Sequence, residues 1–151
     1  MSLWCKSETR LAVSRMISLS SLPWLRRWFG TRSERAAAAY LKKLGYRILQ
    51  RNFRCEFGEL DLIALDGDCI VFVEVRSTEG TDLTRPALSV DIAKQRRLTK
   101  LALHFLQRKG LLGHSARFDV LAVSWPAGQA EPKMAHYPSA FEATDRFQMY
   151  T

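Results

Sequence analysis

The sequence predicts an α/β domain, a mixed central sheet flanked by helices, on three observations. Helix-like and strand-like segments follow one another in the order helix, three strands, helix, strand. The second and third strands are joined through Asp66-Gly67, and an Asp-Gly pair between apolar runs is the strongest short-range hairpin signal. A helix then separates the third strand from the fourth, which permits a parallel crossover. With 151 residues, 47% of them hydrophobic and 25% charged, the chain suits one soluble domain with a real core.

Residues 1–30 are basic, lack a consistent period and meet a stop at Pro23. They read as a loosely ordered extension. The alternative is a short amphipathic piece in which Trp24, Leu25, Trp28 and Phe29 beside Arg26 and Arg27 touch a membrane surface or nucleic acid. Arg15 and a run of serines break the apolar stretch, so it resembles neither a spanning helix nor a secretory signal. No membrane association is expected by default, and a cytoplasmic location is.

Residues 31–44 read as a helix. Thr31 or Ser33 caps it, Glu34 lies in its first turn, Ala36 to Ala39 favour it, and Gly45 ends it. Ala37, Tyr40, Leu41 and Leu44 recur at helical spacing and should face the sheet. Residues 46–54 form a first strand, with Tyr46, Ile48 and Gln50 alternating against Arg47, Leu49 and Arg51.

Two further strand runs, 60–65 and 69–75, flank Asp66-Gly67. A two-residue turn there sets Leu65 opposite Asp68, Phe72 opposite Asp61 and Glu74 opposite Glu59. Glu59, Asp61, Glu74 and Arg76 then share a face, with Asp61 diagonal to Glu74. A three-residue loop with a bulge would shift the parity and separate them. Carboxylates clustered on one face repel one another unless a cation offsets them. A solvated sheet edge also carries acids. Val71, Phe72 and Val73, however, read as buried on both faces, and a carboxylate with a guanidinium at the end of such a strand does little for solubility.

Residues 77–90, with Gly80, Thr81, Thr84 and Pro86, read as a polar loop. Ser89 or Asp91 caps a second helix over 91–109, whose buried stripe is Ile92, Leu98, Leu101, Ala102, Phe105 and Leu106. Residues 117–124 form the fourth strand, in which Asp119 reads as a structural acid. Past Pro126 the chain turns irregular, with a short edge strand at 133–137 anchored by Phe141. The expected division is thus an extension at 1–30, a domain at 31–125 and a tail at 126–151.

The net charge of +8 is unevenly spread: eight of the fifteen acids fall between Glu56 and Asp82, while 85–109 holds seven Lys or Arg against one acid. A metal-dependent site acting on a polyanion needs both: carboxylates for the cation, cations for the backbone. Arg47, Arg51 and Arg54, with Lys94, Arg97 and Lys100 on the second helix, are the candidates for nucleic-acid contact. Cys5, Cys55 and Cys69 lack metal spacing and the three histidines are scattered, which argues against zinc. No glycine-rich phosphate loop follows a strand, so no small-molecule cofactor is expected.

An acid at the start of one strand, then Glu-x-Lys at the end of the next, marks the restriction-endonuclease-like PD-(D/E)XK nucleases. Here it reads Asp61, then Glu74-Val75-Arg76. The stretch YLKKLGYRILQRNFRCEFGELDLIALDGDCIVFVEVRS, with the later Lys94 and RFDVLAV and a weaker YPSAF, resembles the YraN family of uncharacterised bacterial proteins. That resemblance implies a restriction-endonuclease-like fold and kinship with archaeal Holliday-junction resolvases. It implies Asp61, Glu74 and the Val75 carbonyl as ligands of Mg²⁺ or Mn²⁺, and Glu34 as the acid of the first helix that approaches the metal. It implies water as the nucleophile, DNA as the substrate, and a homodimer as the form in which junction-cutting relatives act. Arg76 stands where nuclease members usually have Lys, and arginine stays charged where lysine can give up a proton.

Overall fold

From Leu62 to Leu65 and again from Ile70 to Val73 the chain alternates side chains between two hydrophobic layers, and these runs lie in neighbouring strands of a sheet buried on both faces. The computed structural model describes residues 32–78, 81–84 and 90–144. In chain order these form α1 (Arg32–Lys43), β1 (Arg47–Cys55), β2 (Gly58–Asp66), β3 (Cys69–Thr78), α2 (Ile92–Arg108), β4 (Ala116–Ser124) and β5 (Lys133–Phe141). The strands lie in the order β1-β2-β3-β4-β5. All neighbours are antiparallel except β3 and β4, which run parallel on either side of the α2 crossover. The expected mixed sheet flanked by helices is what forms, an arrangement consistent with a restriction-endonuclease-like fold. Residues 1–30, much of the 77–90 loop and the end of the tail lie outside the described residues.

Each helix covers one face. Ala37, Ala38 and Leu41 of α1 pack on Leu62, Ala64, Val71, Val73, Leu121 and Val123. Leu98, Leu101, Phe105 and Leu106 of α2 pack on the opposite layer, which includes Ile63, Ile70, Phe72 and Phe118. Two residues assigned to these stripes face water instead: Leu44 is 51% and Ile92 55% exposed. Leu44 lies past the last helical residue, where Gly45 at φ 92° turns the chain away, and Ile92 opens α2 before its first inward-facing turn. Asp91 caps α2, its Oδ1 accepting from Lys94 N at 2.7 Å.

The central hairpin is tight, but its tip is Gly67-Asp68 rather than Asp66-Gly67, because Asp66 pairs with Cys69. Gly67 takes the positive φ, 57°, that a primed turn requires. Asp66 is retained in the strand, where Arg117 Nη1 donates to its Oδ2 at 2.9 Å. Every pairing therefore moves by two residues. Leu62 opposes Val73, the last pair of the ladder, and just beyond it the Asp61 side chain accepts from Val75 N. Phe72 faces Ile63, not Asp61, and Glu74 no longer faces Glu59. The shift is even, so parity is kept as far as Leu62, but β2 then breaks its alternation and Glu59, expected on the face of Glu74, lies on the opposite one with Asn52 and Glu34.

At the other edge β5 is longer than expected. It continues beyond Pro138, with a register shift opposite Phe118–Val120 and Ser139 at φ 51°, to stack Phe141 on Phe118 at 4.7 Å. Beneath it Asp119, fully buried, collects Arg117 Nε at 2.9 Å, Ser139 N at 2.9 Å and His136 Nε2 at 2.8 Å. Burial alone would raise the Asp119 pKa, but these partners more than offset it and hold the carboxyl below its ordinary value. Asp119 thus has the structural role expected of it.

Candidate active site

β2 changes layer in the middle of the candidate site. Leu60 packs on the α2 side, whereas Leu62 packs on the α1 side. Across the ladder, Arg51 pairs with Leu62 and Phe53 with Leu60, so Asn52 opposes Asp61, and Asn52 adopts φ 49°. Such irregularities bend a strand and re-aim side chains, and they are frequent beside active sites. Asp61 stands at the switch.

Asp61 Oδ2 accepts from Val75 N at 2.8 Å, so the carboxylate is held against the neighbouring strand. Glu74, only 6% exposed, is reached by Lys94 Nζ from the first turn of α2, and Arg76 Nη1 lies 3.7 Å from the same oxygen. From the other side of the sheet, Glu34 Oε2 accepts from Asn52 Nδ2 at 2.8 Å, and the same amide donates to Glu59 Oε1 at 3.1 Å. Ser33 Oγ accepts from Ser77 at 2.7 Å and from Trp125 Nε1 at 2.9 Å, which ties the start of α1 to the ends of β3 and β4. The first turns of both helices therefore meet at one end of the sheet, around the carboxylates.

The electrostatics follow from this crowding. Burial, then the charge of Glu74 and that of Glu34, push the Asp61 carboxyl up to about 7, against the opposing pull of the Val75 N–H and Lys94. A carboxyl moved close to neutrality by burial and neighbouring acids marks a candidate functional site. Among the described residues, no group of three or more His, Cys, Asp and Glu side chains gathers as a metal site. Asp61, Glu74 and the Val75 carbonyl are nevertheless hard oxygen donors, the set from which Mg²⁺ binds while keeping several of its waters. Asn52 Oδ1 is also buried without a hydrogen-bond partner, an oxygen that a water or a cation would satisfy. The donor chemistry fits a small divalent cation.

Of the expected site residues, Glu34, Asp61, Glu74, Val75 and Arg76 come together. Lys94 departs from its expected role: its ammonium is turned in to Glu74 instead of out to solvent. Arg51 sits opposite Leu62 beside the site, and Arg54 pairs with Glu59 at 3.0 Å. The stem of Arg97 lies against Gly58, and Lys100 is exposed one turn further along α2. Arg47 is not part of this assembly. It opposes Leu65 at the hairpin-turn end of β2, about 13 Å of strand from Asp61. Sequence reasoning missed Asn52, Ser77 and Trp125, and it offered Ser33 as a cap, whereas Ser33 lies inside α1. Only Asn52 left a signal, since asparagine is disfavoured inside strands yet tolerates positive φ.

A profile of the uncharacterised protein family UPF0102 matches residues 33–123, more than half of the chain. The chain belongs to the UPF0102 family. This is the YraN family to which its motifs pointed. The UPF0102 protein of Geobacter sulfurreducens is 48% identical over 113 residues, covering 75% of this chain and 88% of that protein. The one from Syntrophus aciditrophicus is 54% identical over 95 residues, 63% of this chain and 75% of its own. That of Moorella thermoacetica is 50% identical over 98 residues, 65% and 82% respectively. The UPF0102 match encloses Ser33, Glu34, Asn52, Asp61, Glu74 and Lys94, so the site lies wholly within the family's shared region apart from Trp125.

Proposed function

We propose that this UPF0102 protein is a metal-dependent nuclease-like protein that hydrolyses phosphodiesters in DNA, at branched or damaged structures. One observation carries the reading. The chain sets two mutually repelling carboxylates, the half-buried Asp61 and the buried Glu74, on neighbouring strands, and beyond Lys94 its second helix carries further cations that pair with no acid among the described residues. Among the described residues Arg97 and Lys100 form no ion pair, and both are exposed on α2 beside the site.

Asp61 and Glu74, with the Val75 carbonyl, would hold the cation, Mg²⁺ or Mn²⁺, and Glu34 would add to the field that attracts it. A bound divalent cation polarises the scissile phosphate and lowers the pKa of a water. The remaining work falls to neighbouring groups of the chain. The Val75 N–H fixes the Asp61 carboxylate, and Lys94 fixes Glu74. Arg76 stays protonated, so it orients water or balances charge developing on phosphate but does not take a proton. Arg97 and Lys100 hold the backbone. Each is expected to contribute about one unit to the slope of log affinity against log salt.

A second reading is a non-catalytic nucleic-acid-binding module, and the pairing of Lys94 with Glu74 favours it, since the protein's own ammonium already neutralises one of the two ligands. Cleavage of labelled four-way-junction, flap, single-stranded and duplex DNA with Mg²⁺ or Mn²⁺, measured beside salt-dependent binding, separates the two. The nuclease reading predicts metal-dependent cutting of at least one branched substrate. Binding without cutting by the wild type, with cutting gained on Arg76→Lys, would instead identify a binding module that lost turnover through that exchange.

A further inference from the structure

The β1–β2 connection carries an exposed aromatic ring that no part of the hydrolytic site uses. Phe57 sits between Cys55 and Gly58, which close the ladder, and it is 38% exposed. Its ring meets His104 of α2 in a T-shaped contact at 5.6 Å, and His104 also neighbours Phe53 at 6.3 Å. Gly58, the next residue, adopts φ 126° and lies so close to α2 that an added Cβ would stand 3.6 Å from Arg97 Cδ and 3.8 Å from Leu101 Cδ1. The hairpin tip is thus seated on the helix, with the Arg97 stem against the residue that follows the phenyl ring.

α2 connects this tip to the carboxylates. Lys94 in its first turn is on Glu74, Arg97 is against Gly58, Lys100 is exposed, and His104 is on Phe57. Ten residues of helix span about 15 Å, the length of about four nucleotides of a B-form strand. A line of cations that ends in an aromatic ring is the arrangement by which proteins hold single strands: cations track the phosphates and the ring takes a base face. A phenyl ring offers no hydrogen bond to the groove edges of a duplex, where base faces are already stacked.

We infer that Phe57 is a base-stacking subsite for an unpaired nucleotide, about four nucleotides from the Asp61–Glu74 pair, with Arg97 and Lys100 holding the intervening phosphates. This rests on the nucleic-acid reading above and narrows it to DNA with an unpaired segment beside the site.

The test is binding of flap, single-stranded and fully duplex DNA carrying 2-aminopurine in the unpaired or corresponding position. The proteins are wild type, Phe57→Ala, Phe57→Trp and Arg97→Ala, each measured over a range of salt. Phe57→Ala is expected to weaken flap and single-strand binding about ten-fold and to abolish quenching of the probe. Its duplex affinity and salt slope should match the wild type, and Phe57→Trp should restore both binding and quenching. Arg97→Ala should instead lower the salt slope by about one on every DNA. Equal flap, single-strand and duplex affinities for Phe57→Ala and wild type would overturn the subsite and leave the nucleic-acid reading standing. A uniform loss on all three DNAs, duplex included, would also overturn it. Absence of wild-type binding to any of them at low salt would overturn both.

Discussion

Asp119→Ala is expected to lower the unfolding free energy by about 3–5 kcal/mol at neutral pH, the cost of leaving a buried charge without its partner. The side chain is fully buried and serves Arg117, His136 and the Ser139 N–H together. Arg117, itself largely buried, would keep only Asp66 and the Tyr46 hydroxyl. In a chain of this size the loss corresponds to a fall in Tm of roughly 10 °C. Urea denaturation measures it directly. A loss under about 1 kcal/mol would show that the network is solvated and that β5 is held by its backbone ladder and Phe141 alone. The pH dependence has a definite sign. Asp119 is held below the ordinary 3.8 in the folded state, so its contribution is complete above that value and disappears as acid protonates the folded form.

Asp61→Asn should do the reverse and stabilise the protein above pH 7. The wild-type carboxyl is pushed up to about 7 from 3.8, so the native state holds its proton more tightly than the unfolded chain does. Asp61 therefore favours folding most when protonated, and stability falls as pH rises between those values. Above about 7 the full cost of a half-buried carboxylate in the field of Glu74 and Glu34 is present, on the order of a few kcal/mol. Asparagine removes the charge and keeps an oxygen for the Val75 N–H. Unfolding free energies measured from pH 5 to 9 should slope downward for the wild type and lie flatter for the variant, with the curves diverging above neutrality. Superimposed curves would mean that solvent already relieves Asp61. The same proton competes with a cation, so Mn²⁺ affinity is expected to climb with pH through about 7.

These two acids also show where sequence reasoning succeeded and where it stopped. Both are acids within apolar strands, and composition does not distinguish them. Asp61 was legible as a candidate because a hairpin brings it near Glu74, and a displacement of the turn by two residues leaves them neighbours, although Glu59 falls on the other face. The displacement itself was not legible, since the Asp-Gly signal fits either placement. What fixes it is Arg117 from β4, which holds Asp66 in the ladder across 51 residues of chain. The mixed sheet, with its parallel crossover between the third and fourth strands, followed from the element order. The full length of β5 did not, because Pro138 reads as a strand end and only the irregular backbone at Ser139 carries the chain on to Phe141. Lys94 looked like one more cation on a basic helix. Its contact with Glu74 depends on where α2 lands after the 77–90 loop, and periodicity does not encode that. Asn52 was passed over because its role arises from a local positive φ, which bridges Glu34 to Glu59.

The most direct test of the carboxylate pair is cleavage of an end-labelled DNA flap by the wild type, Asp61→Asn and Glu74→Gln, with Mn²⁺ and with chelator. The account predicts cutting by the wild type that stops on chelation, and a loss of at least about 10³-fold in each variant with DNA affinity retained. Cutting that persists in chelator, or that survives in both variants, would contradict it.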